Sequence, residues 1–175
     1  MKSYVLVFLI LMSCNPFDRR SSEEKSMDAP MEALDDNTLL GPDKNNDGVR
    51  DDIEYWINNT KKIKNNNIRR AALLYAKSLR DGLKHHNDKE KSIHYTFLRQ
   101  KYSDCLDLVV NGWTRDYVKI IEPIQKKMFN TKKRIKVQNS IDRNFDGQMV
   151  TVYKFAKEAC PFELEDGNYR KRRGE

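Results

Sequence analysis

The chain has 175 residues, a length that suits one domain with tails. It is 38% hydrophobic and 34% charged, with a net charge of +7 at pH 7 and a mean hydropathy of −0.84. No apolar run approaches the roughly 20 residues of a spanning helix, which excludes an integral helical membrane protein, and 7 Gly and 5 Pro exclude collagen-like or Pro-rich architectures.

Lys2 precedes residues 4–12, an unbroken apolar run (YVLVFLILM). That run fits the core of an export signal and is too short to span a bilayer permanently. It ends in Leu11-Met12-Ser13-Cys14, with a small residue directly before the cysteine and Leu three positions upstream of it. This pattern resembles the lipobox of bacterial lipoproteins; an ordinary secretory signal is the other reading of the same residues. The resemblance implies a signal peptide at 1–13 and a mature chain that begins at Cys14, lipidated on its sulfur and its amine. Several acyl chains on one residue exceed the two signals that stable anchoring requires. Asn15, rather than Asp, follows the cysteine, a pattern similar to that of outer-membrane lipoproteins of enteric-type bacteria. The expected location is the bacterial cell envelope, anchored in the outer membrane on its periplasmic or surface side.

Residues 14–38 are expected to be the lipidated N-terminus and a polar tether, because they lack periodic apolar content. Charge then changes abruptly. Between 35 and 54 there are seven acids against Lys44 and Arg50, whereas 55–175 carries 27 Lys and Arg against 14 Asp and Glu. An acidic entry segment thus leads into a basic body, and the folded domain is expected at 39–165.

Residues 43–54 read DKNNDGVRDDIE. Taking Asp43 as position 1 places Asn45 at 3, Asp47 at 5, Gly48 at 6, Val49 at 7, Asp51 at 9 and Glu54 at 12. Calcium is a hard cation that takes six to eight oxygens, and this spacing supplies them. Side chains at 1, 3 and 5 converge as the chain curls, Gly48 permits the sharp turn, and Val49 offers its carbonyl. Asp51 binds directly or through water, and Glu54 reaches back from the next helix. The loop resembles that of the EF-hand superfamily, with two departures. Gly41-Pro42 stands where an entering helix should end, and Arg50 occupies position 8, where paired hands carry an apolar residue. Both make it more similar to the half-hands of thrombospondin type 3 repeats and dockerins, a loop with an exiting helix only. The resemblance implies Ca²⁺ as the bound cofactor, with Asp43, Asn45, Asp47, Val49, Asp51 and Glu54 as ligands, and says nothing of catalysis. A solvated Asx-rich turn capping the helix is the alternative.

The body that follows reads mainly α, a small helical bundle. Ile53, Trp56 and Ile57 start a short helix. Ile68, Ala72, Tyr75, Leu79 and Leu83 form one face of a second helix that ends near Lys84. Tyr95, Leu98, Tyr102, Cys105 and Val109 form a face of a third, capped by Asp88 and stopped at Asn111-Gly112. Thr114 could cap a fourth, with Tyr117, Ile121, Ile124 and Met128 inward; Pro123 should kink or divide it. A basic helix begins at Asn130 or Thr131 and ends near Asn144. Asp142 to Gly147 copies loop positions 1, 3, 5 and 6 but lacks the carboxylate at 12, and reads either as a helix-ending turn or as a degenerate site. Residues 148–162 are ambiguous between a short β element and a helix, and 166–175 form a basic tail.

Three cysteines, less Cys14, leave Cys105 and Cys160. An exported chain meets an oxidising compartment, so the pair reads as one disulfide, with two separate buried thiols as the alternative. His85, His86 and His94 show no metal-ligand spacing, and no GxSxG, phosphate loop or Cys/His nucleophile arrangement occurs. The expected function is a lipid-anchored, calcium-binding envelope protein with a structural or interaction role, not an enzyme. One alternative is a module that binds an anionic envelope polymer or acidic protein through Lys132, Lys133, Arg134 and Lys136, with calcium incidental. A second is an envelope hydrolase of unknown chemistry. An export signal argues against nucleic acid as a partner.

Overall fold

A computed structural model describes residues 38–110, 115–154 and 156–165. The signal segment 1–13, Cys14, the tether up to 37, the Asn111-Gly112 stop, the Thr114 cap, Phe155 and the tail 166–175 lie outside the described residues. Within them the fold is mainly helical, as its sequence periodicity predicts. The helices are α1 (Asp51–Asn59), α2 (Asn66–Lys84), α3 (Lys89–Val109), α4 (Arg115–Met128), α5 (Lys132–Phe145) and α6 (Ala156–Ala159).

Local signals explain where these helices start. Asn65, Asp88 and Thr131 adopt extended backbone, and each side chain accepts a hydrogen bond from the N–H three residues on, which satisfies one of the donors a helix leaves open. α1 begins without such a side-chain cap; Asp51, Asp52 and Glu54 fill its first turn and complement the positive end of the helix dipole. Pro123 does not divide α4. The carbonyl of Lys119 loses the N–H it would have bonded, and Lys119 is exposed, so water can satisfy it.

The α2–α3 pair is the most extensive helix contact, and α4, α5 and α6 pack around it. The buried face of α2 is Ile68, Ala72, Tyr75, Leu79 and Leu83, the expected stripe, widened by Ala71, Ala76, Ser78 and Gly82. The α3 face is rotated from the expected one. Ser92, Thr96, Ser103, Cys105, Leu106 and Val109 are buried, whereas Tyr95, Leu98 and Tyr102 are only half-buried. The buried hydroxyls of this face have partners: Thr96 donates to the Ser92 carbonyl at 2.9 Å, and the Ser103 and Tyr117 hydroxyls lie 2.6 Å apart. In α4, Ile120 takes the buried place expected of Ile121.

No strand occurs among the described residues, so the expected short β element near the C-terminus is not there. Residues 148–154 are irregular. Val150, Val152 and Met149 (92% exposed) point to solvent, because no neighbouring strand is present to pair with their backbone. α6 and Cys160 then return to the core. Cys105 and Cys160 are joined, with Cα atoms 5.0 Å apart and a sequence separation of 55. Beyond the disulfide, the chain is pinned along the start of α2. Asn67 is fully buried; its amide donates to the Glu165 carbonyl at 3.2 Å, and its Oδ1 accepts from the Glu165 N–H at 3.1 Å. The Arg70 guanidinium lies 4.2 Å from the Phe162 ring centroid.

Candidate metal loop and its arginine clamps

The 43–54 segment is folded as a tight loop against α2. Gly48 has φ +91° and Asn46 φ +57°, left-handed values that Gly and Asn tolerate best. The Gly48 N–H donates to Asp43 Oδ2 at 3.1 Å, tying position 6 back to position 1. The Asp47 N–H donates to Asn45 Oδ1 at 3.2 Å, and the Val49 N–H to Asp47 Oδ1 at 2.7 Å. The Lys44 N–H donates to Asp51 Oδ1 at 3.0 Å. Val49 sends its side chain into the core, as position 7 allows.

Positions 3, 5 and 12 meet at the Asn45 amide. Its Nδ2 donates to Asp47 Oδ2 at 3.0 Å and to Glu54 Oε2 at 3.1 Å. An N–H₂ group thus bridges two carboxylates, and a half-turn of that amide would present Oδ1 instead. Burial, followed by the Asp47 carboxylate, pushes the Glu54 carboxyl above its ordinary value; Asp51 and Asp43 add in the same direction, and the Asn45 hydrogen bond opposes them. Glu54 therefore feels the other three loop carboxylates.

Two oxygens stand out. Asp43 Oδ1 and Asp51 Oδ2 are buried and have no hydrogen-bond partner, and the Asp43 side chain is only 5% exposed. A buried carboxylate oxygen without a donor is costly, and these two belong to positions 1 and 9 of the pattern. Among the described residues, however, no three His, Cys, Asp or Glu side chains are gathered closely enough to form a finished metal cage. Internal donors hold the carboxylates instead. Besides Asn45, the Arg80 guanidinium pairs with Asp43 Oδ2 at 3.0 Å, and Lys77 Nζ donates to the Asp47 carbonyl at 2.9 Å. The donor set suits a hard cation, provided that the Asn45 amide turns and the carboxylates draw in.

Sequence reasoning missed Lys77, which is exposed, and Arg80, which is part-buried, because their helix was identified by its apolar stripe. It also missed two arginine clamps. Arg50, at loop position 8, is 1% exposed. Its Nε and Nη2 donate to the two carboxylate oxygens of Asp52 at 2.5 and 2.6 Å, and Nη2 also to the Lys127 carbonyl at 2.7 Å. The position that bridges to a second loop in paired hands here bridges to α4. Arg134 is 0% exposed. It donates to the Leu39 carbonyl at 2.9 Å, the Thr38 carbonyl at 2.8 Å and Asn130 Oδ1 at 2.5 Å. Arg134 is therefore withdrawn from the anionic-partner patch: its guanidinium fastens the incoming chain. Lys132, Lys133 and Lys136 are exposed.

The 142–147 segment is a helix end. Asp142 and Asn144 lie within α5, Gly147 has φ +79°, and the Gln148 N–H bonds the Phe145 carbonyl at 3.1 Å. Side chains two apart on a helix diverge, so these residues do not form a second loop. No helix among the described residues is long and apolar enough to cross a membrane. No protein-family model, no curated protein and no solved structure matches the chain.

Proposed function

We propose that this is an exported, lipid-anchored protein of the bacterial envelope that binds Ca²⁺ in its 43–54 loop, and that the ion has a structural role. The observation that carries the reading is the pair of buried, partnerless carboxylate oxygens on Asp43 and Asp51, set at positions 1 and 9 of a loop whose glycine, asparagine and acids match a calcium site. Asp43, Asn45, Asp47, Asp51, Glu54 and the Val49 carbonyl would hold the ion. It would offset the mutual repulsion of the four carboxylates. It would also fix the segment from which Arg50 reaches α4, so that the chain leaves its anchor in a set direction. Arg80 beside Asp43 lowers the net negative charge of the loop, which favours a weak site in the ~10⁻⁴–10⁻³ M class.

Thermal melting of the full chain with CaCl₂ and with EGTA tests this. At a free Ca²⁺ concentration a hundredfold above Kd, binding adds about 2.7 kcal/mol. For a chain of this size that raises Tm by about 5–10 °C. Asp43→Ala should abolish the difference; an identical Tm in CaCl₂ and EGTA refutes the reading.

A further inference from the structure

A second feature lies apart from the loop. A cleft of about 560 Å³ opens among α2, α3, α4 and α5, within the roughly 300–1,000 Å³ range of small-ligand sites. None of its lining residues belongs to 43–54. Three of them are glutamines, one from each of α3, α4 and α5, and each uses its amide nitrogen on the protein. Gln100 donates to Asp104 at 2.9 Å, Gln125 to the Tyr75 hydroxyl at 2.7 Å and Gln138 to Asp142 at 2.7 Å. Each therefore keeps its carbonyl oxygen as an uncommitted acceptor. The Tyr75 hydroxyl accepts from Gln125 and retains its own proton to donate.

Charge in the cleft is balanced. Its one guanidinium, Arg99, is paired with its one carboxylate, Asp142, at 3.4 Å. Phe129 adds a half-buried aromatic ring, and Val118 adds an exposed aliphatic patch. An anion brings acceptors only and would meet three carbonyl oxygens, with Arg99 already paired to Asp142. An acyl chain would bury those oxygens unpaired, at a cost. A molecule rich in O–H donors, with a ring edge that is polar and faces that are not, answers both requirements.

We propose that this cleft binds a neutral polyhydroxylated ring, a sugar unit, with the glutamine carbonyls accepting from its hydroxyls and the Phe129 ring against its face. The sugar can be free or the unit of a glycan, and the probes separate the two sources. The full chain, in a zwitterionic detergent that contains no sugar, is titrated by ¹H–¹⁵N NMR with glucose, maltose, N-acetylglucosamine and its β-1,4 disaccharide. It is also co-sedimented with insoluble chitin and cellulose. At least one soluble sugar should give saturable shifts centred on Gln100, Gln125 and Gln138, and Gln138→Ala should weaken that binding about tenfold without changing the melting temperature. Co-sedimentation in addition assigns the site to a polymer; soluble binding without it assigns the site to free sugar. Absence of saturable shifts with all four sugars overturns the proposal. So does unaltered affinity in Gln138→Ala, or displacement of the sugar by octanoate or inorganic phosphate at the same residues.

Discussion

Arg50 and Gly41 show how closely the entry to the fold is fitted. Gly41 has φ +70°, and a Cβ there would collide with the Arg50 side-chain Cδ and approach Arg134 Nη2 at 3.0 Å. The glycine is required twice, by its backbone conformation and by the close passage of two guanidinium side chains. Arg50→Ala removes a bidentate pair from a site that is 1% exposed and leaves Asp52, 21% exposed, without it. Breaking a buried pair on one side costs about 3–5 kcal/mol. Because Asp52 keeps partial solvation, the expected loss is about 3 kcal/mol by urea denaturation. Arg50→Lys should recover little of it, since an ammonium cannot fork across both carboxylate oxygens. A second residue-scale expectation concerns acid. Burial raises the Asp81 carboxyl above its ordinary 3.8, against the pull of Lys77, Lys84, His85 and Arg80. A raised folded value means that the protonated form favours the fold. This contribution is complete below the unfolded pKa and is lost as pH rises through the folded one. Asp81→Asn retains it throughout, so the variant should melt above the parent at pH 7, with the gap closing below about pH 4. A variant that melts below the parent at pH 7 contradicts this.

At the scale of elements, the disulfide is the clearest test. Closing a loop of 55 residues restricts the unfolded chain by about 4 kcal/mol in the chain-entropy model. It also holds α6 to α3, after the exposed 148–154 stretch. A Cys105→Ala, Cys160→Ala double variant should lose about that amount and release α6 first, seen as early hydrogen exchange at Ala156 and Ala159. How much of the architecture the sequence carries differs by element. α2 was legible because its apolar residues recur every three or four positions, whereas its cap, Asn65, was not read from the sequence. α3 was legible in extent but not in face: its buried side includes Ser92, Thr96 and Ser103, residues that hydropathy does not mark as core. Residues 148–154 alternate like a strand, but alternation cannot supply a partner strand, and Val152 stays in water. Arg134 lies in a run of lysines that reads as solvent-facing, and only the tertiary approach of Thr38 and Leu39 buries it. The loop's acids and Asn45 were legible as a pattern, whereas Arg80, which pairs with Asp43, and Lys77, which donates to the Asp47 carbonyl, come from α2 and leave no trace in the loop's own spacing.

Across the whole molecule, an acidic loop sits at the entrance to a basic body, and Arg50, Arg80 and Arg134 fasten the two together. The proposed Ca²⁺ in the loop would complete that junction. The exposed lysines of α5 remain free to attract anionic partners, but the fastening itself does not depend on them. Charge reversal at Lys132, Lys133 and Lys136 should therefore leave the melting temperature in CaCl₂ unchanged within about 1 °C. The account rests on oxygen ligands in the loop, and calorimetric titration of CaCl₂ into the chelator-stripped full chain tests it most directly. The predicted result is one saturable site with Kd in the ~10⁻⁴–10⁻³ M class, lost in Asp43→Ala and Glu54→Ala and retained in the triple lysine reversal. The absence of saturable heat from the parent chain, or an unchanged isotherm in both loop variants, would contradict it.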